Sequence, residues 1–325
     1  MALPILTSTI KRNQSSDFPP GQPQEPIVLP KPSKTEDLFL RMAAGGSFGL
    51  FADSFTNLSL VIQTRKLASD AAKINSSGWL HTARMVISSE GLRGCYSGFP
   101  TVAAGSIMGT GAYCVGSHFT REYLGESDSA NLLAGCGGQF AGSTCGWTTA
   151  AVLSEIQQSP KAIKDPSFEN KRATEIAKLL LKKGGIRELY RGYWVQLANF
   201  GAVNAFGELF AGRLRKLAKD HTSIEELSVI QQAAINGLSW GTAAAISNPL
   251  GVLKLRVQLS GMDRQHFPDR SALKCAQRIL KEEGVKGMYK GSSARVAAIT
   301  PRAMIFFTGM PYVYRHLRKS CNFSD

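Results

Sequence analysis

Three carboxylates stand where carboxylates are costly. Asp53, Glu155 and Glu208 lie inside long segments whose other residues are mostly apolar or small. An ionised group in such a segment must face a water-filled cavity or an opposite charge, which makes it a functional-site candidate by default. The competing expectation is a buried structural pair, for example Glu208 with a basic residue on a neighbouring helix. The chemistry open to such groups is binding and gating rather than bond-making. The five histidines, His81, His118, His221, His266 and His316, have no metal-ligand spacing, and the chain has no Gly-x-x-x-x-Gly-Lys loop. No serine–histidine combination has triad logic, so an enzyme is not expected, nor a metal or cofactor. Cys95, Cys114, Cys136, Cys145, Cys275 and Cys321 form no CxxC pair and read as small packing residues kept as thiols.

The elements that position these groups come in three copies. Glu90-Gly91-Leu92-Arg93-Gly94-Cys95-Tyr96-Ser97-Gly98, Gly184-Gly185-Ile186-Arg187-Glu188-Leu189-Tyr190-Arg191-Gly192 and Glu283-Gly284-Val285-Lys286-Gly287-Met288-Tyr289-Lys290-Gly291 share one pattern. Their tyrosines are 94 and then 99 residues apart. Small-xxx-small pairs at Gly45/Gly49, Gly138/Gly142 and Gly237/Gly241 follow with steps of 93 and 99. Two unrelated markers in one register mean three copies of one supersecondary unit. The units are taken as 37–125, 126–222 and 223–325, each a long helix, a short surface helix and a second long helix. The long helices are expected near 37–66, 99–122, 130–158, 190–220, 224–259 and 289–319. Helices of about 28 residues rise far enough to cross the roughly 30 Å hydrocarbon core of a bilayer. A soluble helical solenoid is disfavoured because its repeats are shorter.

Composition neither announces nor forbids a membrane. No stretch of 18 or more residues is purely apolar, and mean hydropathy is −0.08. Segments such as 132–153 and 230–253 are instead rich in Gly, Ala and Ser with isolated polar residues. They span a bilayer only if those residues face one another or a cavity. The net charge of +14 sits at helix ends and connecting loops, with no basic patch interleaved with aromatics. That placement suits anionic lipid headgroups and not nucleic acid. Residues 1–36 carry Pro19, Pro20, Pro23, Pro26, Pro30 and Pro32 in a polar background and read as an extended arm that could anchor on a partner. The first twelve residues lack an apolar core and a cleavage site, so they are not a secretory signal.

The third unit holds Pro249-Leu250-Gly251-Val252-Leu253-Lys254-Leu255-Arg256-Val257-Gln258, then Glu283-Gly284, Tyr289-Lys290-Gly291 and Pro301-Arg302. This resembles the mitochondrial carrier family, whose signature is Pro-x-acid-x-x-base-x-Arg with a following Gln, then acid-Gly, then aromatic-base-Gly. The resemblance covers about residues 38–319. It implies an all-α membrane protein of the mitochondrial inner membrane: six transmembrane helices in three pseudo-symmetric repeats around a central cavity, with three short amphipathic helices on the matrix side. It implies substrate contacts at Gly105, Asn199 and Ala298, seven residues past each turn glycine, with Arg295 and Arg302 nearby. It implies a matrix gate of which Pro249, Lys254, Arg256 and Gln258 remain, and a cytoplasmic gate of which Arg121 and Arg215 remain. The turns Tyr96-Ser97-Gly98, Tyr190-Arg191-Gly192 and Tyr289-Lys290-Gly291 are implied to hold cardiolipin phosphates. Backbone N–H groups at a helix start favour an anion, and the first turn lacks the basic residue.

The departures from that pattern shape the functional expectation. Gly251 stands where the family has an acid. The equivalent stretches of units one and two lack Pro and a complete acid–base set, and Glu155 is not in clear register. The outer gate keeps bases without carboxylates, and like charges repel rather than latch. The three contact positions are uncharged. Two readings follow. The favoured one is an accessory subunit, bound through its outer surface and arm to a larger inner-membrane assembly of respiratory-chain type. The alternative is an active carrier exchanging a neutral or amphipathic metabolite by alternating access, its charge, if any, met by Arg295 and Arg302.

Overall fold

The computed structural model describes residues 32–71, 78–124, 128–159, 166–169, 171–222, 227–260 and 266–321. Residues 1–31 of the Pro-rich arm, most of the expected loop at 161–170, and the segments 72–77 and 261–265 lie outside the described residues. Unit one contains α1 (Lys34–Ala71), α2 (Trp79–Cys95) and α3 (Phe99–Leu124). Unit two contains α4 (Asp128–Gly142), a π-helical turn (Ser143–Trp147), α5 (Thr148–Gln158), a short 3-10 turn (Pro166–Phe168), α6 (Ala173–Gly184), α7 (Ile186–Leu189) and α8 (Tyr193–Thr222). Unit three contains α9 (Val229–Ile246), α10 (Asn248–Leu259), α11 (Ala272–Glu282), α12 (Gly284–Met288) and α13 (Ser292–Ser320). The long helices pack in a closed ring in the order α1, α3, α4, α8, α9, α13 and back to α1. No described helix is long and apolar enough to cross a membrane by hydropathy alone, because the inward faces of these helices carry the polar side chains described below.

The glycines explain the ring. In each unit two glycines seven residues apart take positive φ: Gly91 and Gly98, Gly185 and Gly192, Gly284 and Gly291. An L-residue pays a steric cost in that region, so each pair marks the break before α7, α12 or the kink in α2, and the start of a second long helix. The small-xxx-small pairs sit at close helix approaches. A Cβ on Gly49 would come within 2.9 Å of Thr110 on α3, one on Gly138 within 2.8 Å of Tyr113 on α3, and one on Gly237 within 2.6 Å of Met304 on α13.

The first long helix is built differently in each unit. α1 runs unbroken. Unit two inserts the π-helical turn, a known cause of a helix kink, and this places the Trp147 indole against Gly142 and Gly109. Unit three breaks at Ser247, and Pro249 then falls in the first turn of α10, where its missing N–H costs nothing. The continuous first helices expected for units two and three are thus corrected: tertiary packing interrupts both.

A buried apolar cluster joins the ends of α1, α5 and α10 to the short helices. Leu67, Ile156, Leu180, Leu255, Leu259 and Ile279 belong to it. Asn57 donates to the Cys95 carbonyl at 2.8 Å and Asn248 to the Met288 carbonyl at 2.9 Å, tying each turn to its first helix. The cysteines divide evenly. Cys95, Cys114 and Cys275 are buried, as expected of packing residues, whereas Cys136, Cys145 and Cys321 are exposed.

A Cβ at Gly142 would meet the Gly109 carbonyl oxygen at 2.7 Å, and a backbone atom cannot swing away. Gly142→Ala is therefore expected to destabilise the purified protein by about 1–3 kcal/mol. Thermal unfolding in detergent checks this; an unchanged midpoint would show that α3 and α4 are not held at this distance.

Candidate solute cavity and its gates

The ring encloses a central space of about 1470 Å³, counting the part open to solvent. All five expected contact residues line it: Gly105, Asn199, Ala298, Arg295 and Arg302. Asp53, Glu155 and Lys254 line it as well, among apolar side chains that include Trp147, Phe200, Trp240 and Phe307. The Trp240 and Phe307 rings stack with centroids 4.0 Å apart. Pro249, Arg256 and Gln258 do not line the cavity, nor do Arg121 and Arg215.

One end of the cavity is closed by bonds between units. Lys254 Nζ lies 2.6 Å from Glu155 Oε1, both side chains nearly buried, joining α10 of unit three to α5 of unit two. In the swapped amide orientation Gln258 donates to the same carboxylate at 3.2 and 2.8 Å. Between units one and two, Thr64 donates to Gln158 Oε1 at 3.0 Å. Arg65 Nε donates to the Gln158 carbonyl at 3.2 Å. Between units three and one, the Leu67 side chain packs on Gly291. No single unit supplies a full acid–base set, but one pair forms between units, where Lys254 takes its acid from Glu155 of the neighbouring unit.

Asp53 resolves as a paired group. It accepts from Ser106 Oγ and from Arg302 Nε, the latter at 2.6 Å, linking α1, α3 and α13. Arg302 is thereby committed to a structural pair. Arg295 differs. Its Nη2 donates to Asn199 Oδ1 at 2.7 Å and to Ser247 Oγ at 3.2 Å, and no carboxylate among the described residues pairs with it.

At the outer end, Arg215 donates to Asn236 Oδ1 at 2.8 Å. Asp37, in the first turn of α1, accepts from Arg41 at 2.8 Å and from the Tyr314 hydroxyl of α13. Sequence reasoning missed Asp37 because it sits on the first helix while the motif search looked at the second helix of each unit.

The turns before the second long helices bond partly within their own units and partly to the next one, as Ser97 does to the Gln157 carbonyl. Phe99, Tyr193 and Ser292 N–H donate to the carbonyls of Tyr96, Tyr190 and Tyr289 at 3.1, 3.1 and 3.2 Å, so these N–H groups are not free as expected. Arg191 is buried and bonded to Glu188 and to Ser260, and Lys290 lies 2.9 Å from Glu283. The acids of the acid-Gly steps meet an arginine at the end of the first long helix: Arg65 with Glu90 at 2.8 Å, Arg256 with Glu283 at 2.7 Å. Unit two reverses the order. A Cβ on Gly184 would meet the Glu188 side chain at 2.7 Å, just as one on Gly94 or Gly287 would meet Glu90 or Glu283. The carboxylate keeps its place while acid and glycine exchange sequence positions.

Comparison with known proteins agrees with this architecture. The family model described as mitochondrial carrier protein matches residues 34–128 and 225–320. Mitochondrial substrate carrier family protein E of Dictyostelium discoideum is 25% identical over 83% of this chain and 93% of its own length. The succinate/fumarate mitochondrial transporter of Saccharomyces cerevisiae is 24% identical over 86% and 91%, and nicotinamide adenine dinucleotide transporter 2, mitochondrial, of Arabidopsis thaliana is 24% identical over 85% and 79%. The chain belongs to the mitochondrial carrier family, whose all-α fold it has, and with that membership goes a place in a mitochondrial membrane.

Burial acts to raise the Glu283 carboxyl, but the bonds from Lys290 and Arg256 outweigh it and hold the group below its ordinary value of 4.5. The folded state thus favours the ionised form. Its contribution to stability is full above pH 4.5 and is lost as pH falls through the lower folded value. Thermal unfolding of wild type and Glu283→Gln should show a gap at neutral pH that closes as the pH drops below 4.5. A gap constant with pH would mean the carboxylate is not held by its partners.

Proposed function

We propose that the chain is a multi-pass solute carrier of the mitochondrial inner membrane that works by alternating access, with the unit-bridging Glu155–Lys254 pair as its latch on the closed side. The observation that carries this is a cavity sealed at one end by bonds that must break for the units to separate there. Removing one partner of a buried pair costs about 3–5 kcal/mol, so the latch resists opening until a bound solute favours the other state. A solute shifts such an equilibrium only by its difference in affinity for the two states, which the central cavity is placed to supply. The transporters among the relatives support the same reading. The accessory-subunit reading rested on gates taken to be eroded, and the Glu155–Lys254 pair weighs against that at one of them. Cardiolipin at the three tyrosine–glycine turns belongs to this proposal, with the exposed part of Lys290 as a phosphate contact. Other inner-membrane subunits remain a proposal for the outer surface.

The test is exchange in cardiolipin-containing liposomes across a panel of carboxylates, amino acids and nucleotides. At least one member should show saturable uptake. Glu155→Gln should cut that uptake about tenfold or more, and the charge-swapped pair Glu155→Lys with Lys254→Glu should recover most of it. No saturable uptake by the folded wild type, together with its migration in a large native assembly, would return the accessory role.

A further inference from the structure

The cavity-lining charges do not balance. Asp53 and Glu155 are matched by Arg302 and Lys254, at 2.6 Å in both cases. Arg295 is left over, and it is only 3% exposed. A guanidinium removed from water without a carboxylate is costly, since removing the counter-charge of a buried pair is among the larger single penalties a fold can carry. The reason for the imbalance is local. A Cβ at Gly251 would overlap the Arg295 guanidinium, so the missing side chain both removes an acid and makes room for the arginine. Two buried donors on this wall lack any acceptor: Arg295 Nε and Asn199 Nδ2. Both belong to residues that line the cavity, and they are already joined through the 2.7 Å bond from Arg295 to Asn199 Oδ1. Orphaned donors with a surplus positive charge ask for an acceptor that is itself charged.

We infer that Arg295 and Asn199 form the recognition site for one anionic head, a carboxylate, on a solute whose body is apolar and fills the aromatic part of the cavity. A neutral solute would leave the guanidinium unmatched. A dianion would bring a second charge whose cavity cations, Lys254 and Arg302, are already held by their own carboxylates. The solute becomes the acid that Gly251 does not provide. This deepens the transport reading and rests on it for the site's purpose, but binding can be measured without transport.

The probes are hexanoate, 3-phenylpropanoate and indole-3-acetate, each beside its primary amide, tested by thermal unfolding of the detergent-purified full chain. At least one acid should raise the unfolding midpoint while its amide does not. Arg295→Gln should weaken that acid at least about tenfold. Gly251→Asp should do the same, because its Cβ pushes the end of the Arg295 side chain aside and the new carboxylate pairs with it in place of the solute; it decides the matter should Arg295→Gln fail to fold. Equal effects of acids and amides, no effect of any probe, or an acid effect unchanged in Gly251→Asp would overturn the inference. Liposome uptake of the same probes separates the two proposals. Binding without uptake sinks transport alone, and uptake indifferent to the carboxylate sinks the anion site alone.

Discussion

A charge buried among packed helices must find a partner, and in this protein the partners come from other units. Glu155 of unit two holds Lys254 of unit three, and Asp53 of unit one holds Arg302 of unit three. Each bond runs between bodies that alternating access would move apart. On the proposed transport reading, the electrostatic bonds that hold the ring at Glu155 and Lys254 are the ones a conformational change must exchange. Arg295 is where the requirement is left open, and the Gly251 vacancy beside it is the structural reason.

Close packing decides how these charges are delivered. The glycine pairs on α1, α4 and α9 let backbones approach until a single methyl group would collide. Small residues at helix crossings do in a low-dielectric medium what apolar burial does in water, since dispersion and close contact are the forces left to associate helices there. The first long helix differs among the three units: an unbroken helix, a π-helical turn and a break at Ser247 before Pro249. The ring order holds while the residues that build each unit differ. The exchange of acid and glycine between Gly184/Glu188 and Glu90/Gly94 follows the same rule, as one carboxylate position in space is served from two positions in sequence.

The sequence by itself determined the triplication and the span of the six long helices to within a few residues, though not the breaks in two of them, because these depend on local propensity and on spacing along one chain. It also picked out Asp53 and Glu155 as groups that cannot be idle, and the family resemblance pointed to Gly105, Asn199 and Ala298, which line the cavity. Pairing was beyond it. Glu155 belongs to Lys254 across 99 residues and Arg302 to Asp53 across 249, and a motif search confined to one unit sees half of each bond. Only the tertiary structure decided that Lys254 meets Glu155, that Arg191 and Lys290 spend charge on carboxylates of their own units, and that Arg295 has none among the described residues. Those facts depend on which helix faces stand within a few ångströms of one another, and ring closure sets that distance where chain order does not.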